Sequence, residues 1–394
     1  MIKILRIINS LAPEYGGPVA AAVSQTREML RQGHTVDLLT LDAPTAPFLA
    51  DIPGKVHALG PSIGKYCLNF RMINWLKQHA CEYDLILVHG LWQFQSFGTW
   101  LASRQVKFSY FIFTHGMLNP WFKRTYPLKH LKKLMYWPAE YRVLRDAQGV
   151  LFTCEEERRL ARESFSQYKA REIVADYGVQ SPADDPQKSK KSFLDRFPNL
   201  KDKRRILFLG RIHPVKNCDS LIKAFAQVKD HDPLLHLVMA GPDQVGWMAE
   251  LQELSRALGI EDRITWTGML KDDLKWGAIR AAEVFVLPSH TENFGVVIAE
   301  ALACSVPVLT TNKVNIWREV EQDSVGFVAN DDLVGITSLL RTWLGLSESD
   351  RQQMKTNALA SFSNRYEISI TVSKLIDMLE DHNPNTGNKE EFVS

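Results

Sequence analysis

The chain has 394 residues, too many for one ordinary hydrophobic core, so two domains are expected. Hydrophobic residues make up 45% and charged residues 23%, a globular balance, and the net charge of +2 makes no overall case for nucleic acid binding. Cys67, Cys81, Cys154, Cys218 and Cys304 lack CxxC or metal spacing, which predicts reduced thiols in a cytoplasmic protein, and no apolar run is long enough to span a bilayer, so any membrane contact is expected to be peripheral.

From Met1 to Asn9 charges alternate with apolar residues, the pattern of a first strand and not of a signal peptide. Gly16, Gly17 and Pro18 then open a helix over about 19–31, with Gly33 ending it and a second strand over 34–40. Further strands fit 84–88, 109–113 and 149–152. Thr153 and Glu156 have the spacing of a capping box for a helix around 158–163. Residues 176–205 change character, with Pro182, Pro186 and Pro198 among Lys, Asp and Ser, which predicts an interdomain connection containing a short polar helix. A second set of units follows: strands over 205–209, 235–239, 264–266, 284–287 and 306–309, and a helix over 219–228. The polar tail after about His382 is expected to be disordered. Alternating strands and helices imply an α/β fold of two Rossmann-like, doubly wound domains, facing a central cleft.

The stretch from Pro288 to Glu300 is the most informative. The apolar run Val284 to Leu287 reads as a buried strand, Glu292 falls in the loop after it, and Phe294, Gly295 and Val296 open an apolar helix whose first N–H groups suit a phosphate. Glu300 lies within the first two turns of that helix, able to reach a ligand at the carboxyl edge of the sheet. A helix-start charge explains an acid near Glu292 but not one at Glu300. Arg211 and Lys216 follow another strand. Alone they read as solvated surface charges; beside a helix N-terminus two cations suit a phosphate. His115, and less clearly His89, sit at strand ends. No Asp-x-Asp follows a hydrophobic strand, and Gly16-Gly17 and Gly210 lack the GxGxxG spacing of a dinucleotide site.

Gly16-Gly17-Pro18, Leu209-Gly210-Arg211 with Lys216-Asn217, Ala240 to Asp243, Thr267-Gly268 and the Glu292–Glu300 segment, in this order, resemble the retaining glycosyltransferases of family four, which have the GT-B fold. The resemblance covers the chain from about Lys3 to the helix before the tail. It implies an acceptor-binding domain over 1–178 with a returning C-terminal helix at about 366–382, a nucleotide-sugar-binding domain over 179–365, and a polar tail over 383–394. It implies that His115, Arg211, Lys216 and Glu292 act at the reaction centre: His115 near the donor sugar, Arg211 and Lys216 on the diphosphate, Glu292 on the sugar hydroxyls. Gly17, Gly241, Met269, Asn293, Phe294, Gly295 and Val296 would bind the donor, Met269 at the nucleobase, and Glu300 would accept from both ribose hydroxyls.

The family works without a metal, so no cofactor is expected beyond the nucleotide-sugar donor. One departure is Val174 to Val179, where the family often has a Pro-Asn-Gly-Val turn; the glycine remains as Gly178 but the proline is absent. The Trp- and Tyr-rich region after His115 resembles the HepE-type envelope-polysaccharide glucosyltransferases of cyanobacteria, which makes UDP-glucose the first expectation for the donor and a polysaccharide or lipid-linked saccharide for the acceptor. Residues 120–145 mix lysines and arginines with aromatics. They suit peripheral contact with anionic lipid at the inner face of the plasma membrane, or equally a helix with aromatics packed inward. A nucleotide-sugar epimerase or hydrolase on the same fold, and a catalytically silent UDP-sugar-binding protein, are the alternatives.

Overall fold

The computed structural model describes residues 1–382; the tail expected over 383–394 lies outside the described residues. The chain divides into two compact units, Met1–Gln180 together with the chain from Ile368 onward, and Ser181–Glu367.

The first unit is built on a parallel sheet of β1 (Lys3–Ile8), β2 (Thr35–Thr40), β3 (Lys55–Ala58), β4 (Leu85–His89), β5 (Phe111–Phe113), β6 (Gly149–Phe152) and β7 (Glu172–Val174), in the order β3-β2-β1-β4-β5-β6-β7. The strand order reverses between β1 and β4, the place where open sheets bind ligands beyond their carboxyl ends. β4, Leu-Ile-Leu-Val-His, is buried throughout because helices cover both faces. One face packs Leu5, Ile7, Val88, Ile112 and Phe152 into a core. The other packs Ile4, Leu87, Phe111, Phe113 and Leu151 under Val372, Leu375, Ile376 and Leu379 of the returning helix Ile368–Asp381. Gly178 is required there, because a Cβ would strike the backbone of Ile368 at 2.9 Å. The absent proline in this stretch therefore leaves its one indispensable residue in place.

The capping box falls one residue later than the spacing predicts. The chain stays extended through Cys154, the helix runs Glu155–Ala161, and its third position is Glu157 and not Glu156. Glu157 accepts from the N–H and hydroxyl of Thr153, each at 2.7 Å, while Glu156 pairs with Arg159 at 2.7 Å.

The second unit carries β8 (Arg204–Leu209), β9 (Leu235–Ala240), β10 (Ile264–Gly268), β11 (Val284–Leu287), β12 (Val308–Thr311) and β13 (Gly326–Ala329), all parallel, in the order β10-β9-β8-β11-β12-β13. Its reversal point lies between β8 and β11. β12 begins later than the apolar run predicts, past Pro307, which has no N–H for the ladder. The polar helix of the connecting stretch is Pro186–Arg196, capped by Asp185, and it packs on helix Asp272–Ala281 through Gly277, whose Cβ would collide with the Ser189 carbonyl.

Candidate active site

In the first unit, register sets Ile8 beside His89 and His89 beside Phe113, so these three share one face, and His115 follows two residues beyond β5. His115 and Gly116 are both left-handed, with φ of 48° and 74°. That conformation costs a non-glycine residue about 1–2 kcal/mol. Buried Glu157 stabilises it by accepting from the Thr114 hydroxyl at 2.7 Å and the Gly116 N–H at 2.5 Å. The His89 and His115 rings stack with centroids 5.3 Å apart, and His89 Nδ1 lies 3.0 Å from His115 Nε2. Burial, with the nearby Arg6 cation adding to it, pushes His115 down to about 4 and His89 well below the ordinary imidazole range. Both rings line a cavity of about 100 Å³ with Ile8, Ser10, Val19 and Gln95. Gly17 starts the helix Gly17–Arg31 at the same end of the sheet; a Cβ there would meet nothing within 4 Å, so its backbone is open to approach.

In the second unit, Lys216 and Glu292 form an ion pair, and both side chains are largely buried. Asn217, itself left-handed at φ 58°, donates to the carbonyls of Pro288 (3.1 Å) and Asp331 (2.8 Å), tying the Lys216 turn to the loop after β11. Glu292 is held in turn by backbone bonds to Lys313 (3.0 Å) and Asn315 (3.1 Å). Gly295 caps helix Val296–Ala303 at φ 73°, and Ile298 N–H turns back to its carbonyl at 2.7 Å. Val296 and Val297 thus supply the first-turn donors. Phe294 is buried against Tyr366, and Asn293 Oδ1 lies 3.4 Å from Asn315 Nδ2, so both serve this loop's shape.

Glu300 is 8% exposed. Lys275 donates to its Oε1 at 2.5 Å, while its buried Oε2 has no hydrogen-bond partner among the described residues. Burial raises its pKa and Lys275 opposes the rise. A buried carboxylate oxygen without a donor is an acceptor waiting for a hydroxyl. Gly241, at φ 144°, would drive a Cβ into the Gly210 carbonyl, so it allows the loops after β8 and β9 to cross closely. Arg211 is exposed and donates to Gln244 Oε1 at 2.6 Å; Met269 is 55% exposed beyond β10. Lys216 with Glu292, and Glu300 at the helix they precede, are thus brought to one sheet edge, whereas Arg211 and Met269 stand apart from them in contact terms.

Sequence reasoning passed over Lys275, Glu157 and Arg6, and gave Asn217 no role beyond its place after Lys216 in a motif. Lys275 carries no signal, being one of several polar residues in its helix. Arg6 carries a clear one: a charge inside the apolar strand Ile4-Leu5-Arg6-Ile7-Ile8.

Residues 190–360 match the family description "Glycosyl transferases group 1", and residues 16–175 match "Glycosyl transferase 4-like domain". The chain belongs to glycosyltransferase family 4. It is 41% identical over 116 residues to D-inositol 3-phosphate glycosyltransferase of Thermomonospora curvata, a stretch covering 28% of this chain and 27% of that protein. The chain thus spans well under half the length of the curated relatives it first matches. Mannosylfructose-phosphate synthase of Agrobacterium fabrum is 24% identical over 342 residues, 78% of this chain and 74% of its own. Among solved structures, Anabaena HepE in complex with UDP and glucose superposes with a TM-score of 0.74 at 21% identity, covering 97% of this chain and 100% of that one. The family-4 chain therefore has the GT-B fold.

Proposed function

We propose that this protein moves a hexosyl group from a nucleoside diphosphate sugar, with UDP-glucose the first choice, to a hydroxyl of a polysaccharide or lipid-linked saccharide, with retention at the anomeric carbon and without a metal ion. The observation that carries the reading is Glu300: a buried carboxylate whose Oε2 lacks a donor, paired through Oε1 with Lys275, in the helix that begins at Val296 beyond the carboxyl end of β11. In this reading the ribose hydroxyls donate to Glu300. Lys216 leaves Glu292 for the diphosphate, supported by Arg211 and the first-turn N–H groups of Val296 and Val297. Glu292, released, accepts from the sugar hydroxyls. Fixed cations stabilise the charge left on the diphosphate as the glycosidic bond breaks. The leaving phosphate takes the acceptor proton from the face it departs. The Anabaena structure bound to UDP and glucose supports the choice of donor.

Residues 120–145 suit peripheral contact with an anionic membrane. Leu128, Leu131 and Met135 are exposed, and Lys129 and Lys132 alternate with them on helix Pro127–Asp146. Among the described residues no helix is long and apolar enough to cross a membrane. Flotation with vesicles containing anionic lipid at low salt checks this contact; protein left at the bottom of the gradient removes it.

The activity test is incubation with a panel of nucleotide sugars, with and without acceptor extract. Release of free nucleotide chiefly when acceptor is present supports transfer. Equal release without acceptor points to a hydrolase, and bound but unconsumed donor to a silent binder.

A further inference from the structure

Arg6 is fully buried in β1, on the face otherwise filled by Ile4 and Ile8, and among the described residues its guanidinium forms no ion pair with a carboxylate. A buried charge left without a counter-ion is costly, and an apolar side chain would fill the site at less expense. Its donors go instead to Gln25 Oε1 at 2.7 Å, Thr26 Oγ1 at 3.4 Å and His89 Nε2, which lies 3.1 Å from Nη2 and 3.3 Å from Nε.

An arginine only donates. His89 Nε2 must therefore be the accepting nitrogen, and the ring proton of His89 sits on Nδ1. That N–H faces His115 Nε2 at 3.0 Å, which must accept in its turn. His115 then carries its own proton on Nδ1, which has no hydrogen-bond partner among the described residues, on a ring that lines the cavity. A second proton on either ring would set N–H against N–H, in keeping with the lowered pKa of both.

We infer that Arg6 and His89 are positioning residues that hold His115 as a neutral Nδ1–H hydrogen-bond donor to a substrate oxygen and stop it from acting as a base through Nε2. The inference rests on the proposed transfer reaction only for the identity of that oxygen, a hydroxyl or phosphate oxygen of the sugar substrates. The arrangement gives the cavity a hydrogen-bond donor with no net charge, the kind of group that stabilises an oxygen gaining negative charge.

The test is long-range ¹H–¹⁵N spectroscopy of the full chain labelled at histidine, with His115 assigned by its His115→Gln loss. The result expected is a neutral His115 protonated on Nδ1 that does not titrate between pH 8 and 5.5. A His115 protonated on Nε2, or one ionising near pH 6.5, overturns the inference. Arg6→Met removes the donor to His89 and should shift His115 toward the Nε2–H form. It should also lower kcat on the order of 100-fold, the scale of losing one such donor, with KM for the donor sugar nearly unchanged. Should Arg6→Met not fold, the His89 pair decides. His89→Asn keeps an N–H near the position of Nδ1 and should retain the His115 state and most of kcat, while His89→Leu should lose both. Equal losses in the two variants, following their melting temperatures, mark a merely structural role and also overturn the inference. The expected ring state in a protein that transfers no sugar would sink the proposed reaction and leave the inference standing; efficient transfer with the opposite ring state does the reverse.

Discussion

Replacing Glu300 by Gln isolates the charge at the proposed ribose site with little change of shape. Lys275 already occupies Oε1, so a glutamine that keeps its oxygen toward Lys275 turns its NH₂ group to the position of Oε2. That group donates and cannot accept, so a ribose hydroxyl loses its charged acceptor. A hydrogen bond to a charged group is worth about 1.5–3 kcal/mol, and each 1.4 kcal/mol is tenfold in affinity, so the dissociation constant for UDP should rise about 10- to 150-fold. Stability should not follow. Burial raises the pKa of Glu300, so this group favours the folded state below the ordinary carboxylate range and opposes it once pH has risen through the raised value. At pH 7 the glutamine removes that cost, and the melting temperature should hold or rise. Titration calorimetry with UDP reads the affinity and a thermal melt supplies the control. Unchanged UDP affinity in a folded variant refutes the ribose assignment.

Lys216→Ala should lower kcat on the order of 100-fold or more by removing a cation from the leaving diphosphate; near-normal turnover contradicts that role. Gly241→Ala should lower the melting temperature by several degrees, because the new Cβ meets the Gly210 carbonyl at a φ of 144°, and an unchanged melt shows that the loops part freely. The folded-state pKa of His115, about 4, lies below its unfolded value near 6.5, so the unfolded chain binds more protons between them. Stability against urea should therefore fall as pH drops from about 6.5 toward 4, and His115→Gln should flatten part of that slope; an identical slope in the variant removes His115 as its source. Treatment with EDTA should leave sugar transfer unchanged, and loss restored by a divalent cation contradicts the cationic role given to Lys216 and Arg211.

The strand–helix alternation was legible because strands buried on both faces read as unbroken apolar runs, as in Val284 to Leu287 and Leu85 to Val88. The boundaries that moved did so for local reasons: Pro307 cannot join a ladder, and an extended Cys154 carries the third helix position onto Glu157. Glu292, Lys216 and Glu300 stood out through motif order. Their pairings did not, since Lys275 lies 25 residues from Glu300 and Lys216 lies 76 from Glu292, and such pairings are set by the reversal of strand order and not by spacing. Arg6 was legible as an anomaly, a charge in a buried strand; what it does required the register that brings β1 beside β4 and His89 beside the His115 loop.

A crystal structure with UDP bound tests the central claim most directly. The account predicts ribose hydroxyls within hydrogen-bond distance of Glu300 Oε2, and a diphosphate at Val296 and Val297 with Lys216 drawn off Glu292 to meet it. UDP held elsewhere, with the Lys216–Glu292 pair intact and Glu300 Oε2 still without a donor, would contradict it.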